Sequence, residues 1–178
     1  MKIYKNAKLD KSIKLDWDKS FYLWGKVGIG KTHNAYALVI ETNTYLRNRQ
    51  DNDETANLFY DYPFMTFVNF ADICDRLRNA PIEADIFAED SRSGLEYKML
   101  HKKRLIIDDI AAEKRSDYSN DFLMRLVEYR YSNNLYTGFT SNLAIGKLPY
   151  EARIVSRIAG IVGNNKFEIK GKDLRLTQ

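Results

Sequence analysis

The chain has 178 residues, 44% hydrophobic and 29% charged, with a net charge of +4; that suits one soluble domain with a sizeable core and is too short for two. No apolar run approaches the ~20 residues that span a bilayer, and the basic start Met1-Lys2-Ile3-Tyr4-Lys5-Asn6 lacks a signal peptide's apolar stretch. A membrane role is excluded and a cytoplasmic location is expected. The lone Cys74 rules out an internal disulfide framework, and two histidines far from it leave no zinc site. The mild positive charge permits nucleic-acid contact without requiring it.

Residues 1–20 read as a basic arm with a short strand, leading into a single domain over residues 21–178. Lys2, Lys5, Lys8, Lys11, Lys14 and Lys19 of the arm are either solvated or in touch with phosphates. Phe21-Tyr22-Leu23-Trp24 is an apolar, strand-like run. It is followed by Gly25-Lys26-Val27-Gly28-Ile29-Gly30-Lys31-Thr32 and then by a helix with Ala35, Leu38, Val39, Thr42 and Leu46 on its inner face. This is G-x-x-x-x-G-K-[ST] between a strand and a helix, the context that makes a phosphate-binding P-loop. Gly25, Gly28 and Gly30 allow the tight turn that aims the backbone N–H groups of Val27, Ile29 and their neighbours at one anion, beside the positive end of the helix. Lys31 then reaches the β- and γ-phosphates of ATP, and the Thr32 hydroxyl is placed to ligate Mg²⁺.

Arg47 to Glu54 is too polar for core and reads as a loop or frayed helix end. Phe64 to Phe70 reads as a strand, and Ala71 to Arg78 as a helix with Ile73 and Leu77 inward. Asn79 to Ser93 reads as a loop, and Gly94 to Lys102 as a short helix. Arg104-Leu105-Ile106-Ile107-Asp108-Asp109 has an apolar run without alternation, the mark of a parallel strand covered on both faces. Its two carboxylates fall at the C-terminal end, where open α/β sheets hold ligands. About 75 residues after the P-loop, this is a Walker B pattern: Asp108 binds Mg²⁺, directly or through water, and Asp109 orients and deprotonates the attacking water.

Tyr118 to Ser132 is an amphipathic helix with Phe122, Leu123, Leu126, Val127 and Tyr131 on its inner face. Tyr136 to Thr140 is a strand ending in Ser141-Asn142, and Asn142 is either a turn residue or a holder of the attacking water. Glu151 to Ala159 is a helix that Gly160 and Gly163-Asn164 break. Arg153 and Arg157, four residues apart, share one of its faces. Phe167-Glu168-Ile169 is a last strand. Strands alternating with helices imply a three-layer αβα P-loop fold around a parallel sheet.

These motifs together resemble the ATPase domain of the DnaC/IstB group of AAA+ proteins, the bacterial and phage replicative helicase loaders and the ATPase helpers of some transposases. The residues that carry the resemblance are Gly25 to His33, Leu105-Ile-Ile-Asp-Asp-Ile-Ala-Ala-Glu113, Thr140-Ser-Asn-Leu143, Arg153-Ile-Val-Ser-Arg-Ile158 and Gly171-Lys-Asp-Leu-Arg175. They extend from about residue 18 to the C-terminus. The resemblance implies an AAA+ core without a helical lid domain and adds His33 to the nucleotide-binding set. It implies sensor 1 at Asn142, an arginine finger at Arg157 that acts on ATP bound by a neighbouring subunit, and a sensor 2 arginine at Arg175. Arg153 is then a backup finger or a salt-bridging residue. Loaders of this group usually carry an N-terminal domain that grips the helicase, whereas this chain begins almost directly at the ATPase core. A partner that supplies the function, a compact phage-type version and a truncated chain all fit.

The expected function is an ATP-hydrolysing replication accessory that forms a homo-oligomer, binds single-stranded DNA and loads a replicative helicase or joins another loader protein. Two other readings share the motifs: a transposition helper on duplex DNA, and a nucleotide-bound adaptor that regulates a helicase with negligible hydrolysis. With Asp109 where many AAA+ proteins have Glu, turnover is expected to be slow and dependent on assembly.

Overall fold

A computed structural model describes residues 4, 6–51, 64–82, 91–171 and 173, with the side chains of 49–51 left undescribed. Among the described residues five strands form one sheet: β1 (Phe21–Trp24), β2 (Thr66–Asn69), β3 (Arg104–Ile110), β4 (Tyr136–Ser141) and β5 (Lys166–Glu168), in the order β2-β3-β4-β1-β5. Every pairing is parallel. The helices are α1 (Lys31–Asp51), α2 (Phe70–Asn79), α3 (Arg92–His101), α4 (Asp117–Ser132) and α5 (Ala152–Val162), with a short 3-10 turn at Ile145–Lys147.

The apolar run of β3 has the predicted cause. Leu105, Ile106 and Ile107 are all fully buried, but they serve opposite faces. Leu105 and Ile107 join Tyr22 and Phe139 against α2, α3, α4 and α5. Ile106 joins Phe21 and Leu23 against Ala35, Leu38 and Val39 of α1. Side chains alternate across a strand, so a sheet covered on both faces needs apolar residues at every position. The result is a three-layer αβα core around a parallel sheet.

The arm belongs to the α1 side. Ile13 is buried there, with Leu9, Leu15 and Trp17 packed around it, while Lys8, Lys11, Lys14 and Lys19 face solvent. The expected strand does not form among its described residues. Turns closed by backbone bonds from Ala7, Ile13 and Lys19 take its place, and Asn165 fastens its end by donating to the carbonyls of Asp16 and Ser20. Lys2 and Lys5 lie outside the described residues.

Three other expectations change. The polar segment from Arg47 continues α1 as far as Asp51, since it contains no Gly or Pro and its Arg and Gln are good helix formers; residues 52–54 lie outside the described set. Gly160 does not break α5, which ends instead at Gly163, at φ 54°. The break was read from composition, but Gly160 is there for a contact: a Cβ would stand 2.6 Å from Tyr131 Cε2. Tyr131 in turn is not on the buried face of α4. It is 41% exposed, and the neighbouring Arg130 is fully buried. Arg130 reaches to the end of α3 and the start of β4, bonding the carbonyls of Met99, Leu100, Lys102 and Tyr136 and the Thr137 hydroxyl at 2.7–3.2 Å. Burial lowers its pKa to about 10, so it is still charged at neutral pH.

Candidate nucleotide-binding site

The P-loop leaves the C-terminal end of β1 and feeds α1. Gly25 and Gly28 adopt φ of 147° and 80°, conformations that glycine reaches without a side-chain penalty. Space makes the same demand: a Cβ on Gly25 would overlap the Ile169 carbonyl and Ile29 Cδ1, and one on Gly28 would overlap the Asp173 carboxylate. Ile29 is buried and anchors the loop, while Val27 is 57% exposed at its tip. Asn34, which sequence reasoning missed, ties loop to arm: its amide donates to the Gly30 carbonyl at 2.9 Å and accepts from Asp10 N at 2.7 Å.

The predicted residues of three strand ends meet here. Lys31 is 6% exposed. Its Nζ donates to the carbonyls of Gly25 (2.9 Å) and Lys26 (2.8 Å) and to Asn142 Oδ1 (2.8 Å). The other end of the Asn142 amide donates to Asp109 Oδ1 at 3.2 Å. The Thr32 hydroxyl lies 3.1 Å from both carboxylate oxygens of Asp108. Lys31, Asn142 and Asp109 thus form one hydrogen-bonded chain, with Thr32 and Asp108 paired at the start of α1.

How two consecutive carboxylates both serve this corner was not apparent from their spacing. Along β3 and β4, Ile107 pairs with Phe139 and Ile110 with Ser141, so Asp108 and Asp109 together face Thr140. That is a β-bulge, which re-aims side chains next to active sites. Asp109 carries the strain as a non-glycine residue at φ 59°. Thr140 braces both: its hydroxyl donates to Asp108 Oδ1 at 2.6 Å and accepts from Asp109 N at 2.8 Å. Thr140 was quoted in the Thr-Ser-Asn-Leu match but was given no role, because nothing local shows that β4 lies against the bulge.

Burial pushes the Asp108 carboxyl above its usual range. Hydrogen bonds from Thr140, Thr32 and Asn69 oppose the shift, and the neighbouring Asp109 adds to it. A carboxylate whose pKa is raised on folding favours the native state when protonated. That advantage fades as pH rises through the folded value, so at neutral pH the ionised Asp108 costs stability. Asp108→Asn is therefore expected to raise the melting temperature at pH 7. Thermal melts check this, and an unchanged or lower melting temperature would contradict it.

The remaining predicted residues fall elsewhere. His33 is exposed, with Nε2 3.2 Å from the Lys8 carbonyl and its ring edge-on to Tyr4, so it contacts the arm. Arg157 and Arg153 do share a face of α5. Both meet Glu128 of α4, Arg157 through Nε at 2.8 Å and Nη2 at 3.2 Å, and Arg153 at 3.5 Å. Arg175 lies outside the described residues; Asp173, the last described, rests on Gly28. Glu113 is buried and accepts from the Tyr150 hydroxyl, which itself accepts from Ala111 N. Its role is to lock the end of β3 to the segment before α5.

The sequence matches no family model, and comparison with curated protein sequences finds no significant match. Solved structures do match. DnaI is 23% identical over 87% of this chain and 72% of its own, with a TM-score of 0.59. The DnaC helicase loader is 22% identical over 85% and 78%, with a TM-score of 0.52. The replication initiator DnaA bound to AMPPCP and single-stranded DNA is 15% identical over 89% of this chain and 43% of that one, with a TM-score of 0.61. The fold is therefore the one these solved structures share. Among the described residues no helix is long and apolar enough to cross a membrane.

Proposed function

We propose that this chain is an ATP-binding and ATP-hydrolysing accessory of DNA replication, loader-like, working as an assembly of neighbouring subunits on single-stranded DNA. The observation that carries this reading is the chain of contacts Lys31–Asn142–Asp109, beside Thr32–Asp108, at the mouth of a glycine loop. The likeness to helicase loaders and to an initiator bound to AMPPCP and single-stranded DNA supports the replication context.

Lys31 exchanges the Gly25 and Lys26 carbonyls for β- and γ-phosphate oxygens, a stronger charge-assisted contact. Backbone N–H groups from Val27 to Thr32, with His33 after them, receive the rest of the phosphate chain. Asp109 accepts the proton of the attacking water. Asn142 fixes the direction of that carboxylate and links it to Lys31, so that phosphate capture and water orientation are coupled through one amide. Arg175 contacts the γ-phosphate in the same subunit, and Arg157 approaches it from the next.

Mg²⁺ fits the donor set. The Thr32 hydroxyl and the Asp108 carboxylate lie 3.1 Å apart, close to the ~2.9 Å separation of adjacent oxygens around an ion with bonds of about 2.05 Å. No cluster of three or more His, Cys, Asp or Glu gathers among the described residues, which suits an ion held mainly by substrate phosphates. When bound, Mg²⁺ would neutralise charge on the transferring phosphoryl group.

The deciding experiment is specific ATPase activity against protein concentration, with and without single-stranded DNA. It is expected to rise with both, and Arg157→Ala should lower it by roughly 10³-fold or more in the assembled state with nucleotide binding intact. Activity independent of concentration would remove the shared site. Stimulation by duplex DNA alone would favour the transposition helper.

A further inference from the structure

Arg157 was singled out for what it would do in a neighbour's site, but its surroundings in its own subunit are unusually specific for a surface side chain. One edge of its guanidinium, Nε and Nη2, is taken by both oxygens of Glu128 at 2.8 and 3.2 Å. One face lies over the Tyr131 ring, with Cζ 4.8 Å from the centroid. Nη1 has no hydrogen-bond partner among the described residues, and the side chain is 31% exposed.

Tyr131 is itself held in place. The backbone of Gly160 comes so close to the ring that a Cβ would stand 2.6 Å from Cε2. Any other residue at 160 would push the ring off α5 or separate α4 from α5. A glycine inside a helix weakens it, so its presence at this contact is explained by the ring and not by α5.

We infer that Glu128, Tyr131 and Gly160 form a cradle that sets the orientation of Arg157, making Glu128 and Tyr131 positioning residues for hydrolysis in the neighbouring subunit. A free arginine loses much rotamer freedom when it docks. One already gripped along Nε and Nη2 and stacked on a ring has lost most of it before the neighbour arrives. The edge left open, around Nη1, is the part that reaches a phosphate oxygen. Arg153 is held less closely: its Nη2 lies 3.5 Å from Glu128 Oε2, the oxygen that Arg157 Nε meets at 2.8 Å. The inference rests on the proposed finger role of Arg157.

The test compares Glu128→Gln, Tyr131→Leu and Tyr131→Phe with Arg157→Ala in the assembled protein. Gln keeps the size of the side chain but replaces one acceptor oxygen with a donor that opposes the guanidinium. Glu128→Gln is expected to lower kcat roughly tenfold to a hundredfold, the scale of a misplaced reacting group, with KM for ATP, melting temperature and sedimentation unchanged. Tyr131→Leu should lower kcat as well, and Tyr131→Phe, which keeps the ring face, should recover most of the loss. Adding Glu128→Gln to Arg157→Ala should cost nothing further. A Glu128→Gln protein as fast as wild type or faster, or one that still loses rate in the Arg157→Ala background, overturns the cradle while leaving the finger standing. An Arg157→Ala protein with full assembled activity removes the finger and the cradle together.

Discussion

Lys31→Ala is expected to abolish nucleotide binding, lowering affinity by roughly 10²–10⁴-fold. Two hydrogen bonds to charged phosphate oxygens are each worth about 1.5–3 kcal/mol, and every 1.4 kcal/mol is tenfold. The loss has a second source. The lysine also holds the loop together, because its ammonium is bonded to the carbonyls of Gly25 and Lys26 and to Asn142 Oδ1. Without it the Asn142 amide loses the contact that sets its direction toward Asp109, so residual binding would not restore hydrolysis. Isothermal titration with ATP and Mg²⁺ checks the affinity. Thermal melts give an independent reading: ligand at a hundred times Kd stabilises a binding-competent protein by about 2.7 kcal/mol, and the variant should show no such shift. Wild-type affinity in Lys31→Ala would refute the site.

Arg130→Met is expected to be the most destabilising change of those considered, at about 3–5 kcal/mol, the scale of removing one partner from a buried charged network. Volume is roughly kept, so a cavity is not the reason. The damage comes from four carbonyls, Met99, Leu100, Lys102 and Tyr136, that lose their donor. Three of them lie at the C-terminal end of α3 or just beyond it, where carbonyl groups have no helical partner and the helix dipole favours a cation. Domains of this size have about 5–15 kcal/mol in total, so the variant should unfold at much lower denaturant or accumulate as insoluble protein. Arg130→Lys, with three donors in place of five, should fall between. Urea melts would show it, and a Met variant within about 0.5 kcal/mol of wild type, the range of ordinary surface changes, would mean that the network contributes little.

The two predictions differ in how much could be read beforehand. The P-loop was visible because all its chemistry lies in eight consecutive residues, and the Walker B pair because a doubly covered strand must be apolar throughout and place its polar end at the ligand edge. Asn142 was a candidate from its place at a strand end and from the family resemblance; only the neighbourhood of β1, β3 and β4 joins its two amide ends to Lys31 and Asp109. Arg130 was passed over entirely. Three guanidinium nitrogens bonded to five acceptors spread between Met99 and Thr137 make a residue that looks like helix surface into part of the core, and no periodicity reports that.

By itself, then, the amino-acid order determined what is local or periodic: the glycine-rich turn between strand and helix, the two carboxylates at the end of a buried strand, the parallel sheet and the shared face of Arg153 and Arg157. Those follow from backbone conformation and from side-chain alternation within a few residues. The tertiary structure decided what depends on two segments meeting. It put Thr140 against the bulge at Asp108 and Asp109, carried α5 through Gly160 because Tyr131 lies against it, and turned Arg157 into the grip of Glu128. Such contacts join residues about 30 to 110 apart. Their energy comes from burial and paired charges that exist only once the sheet order has brought the strand ends together.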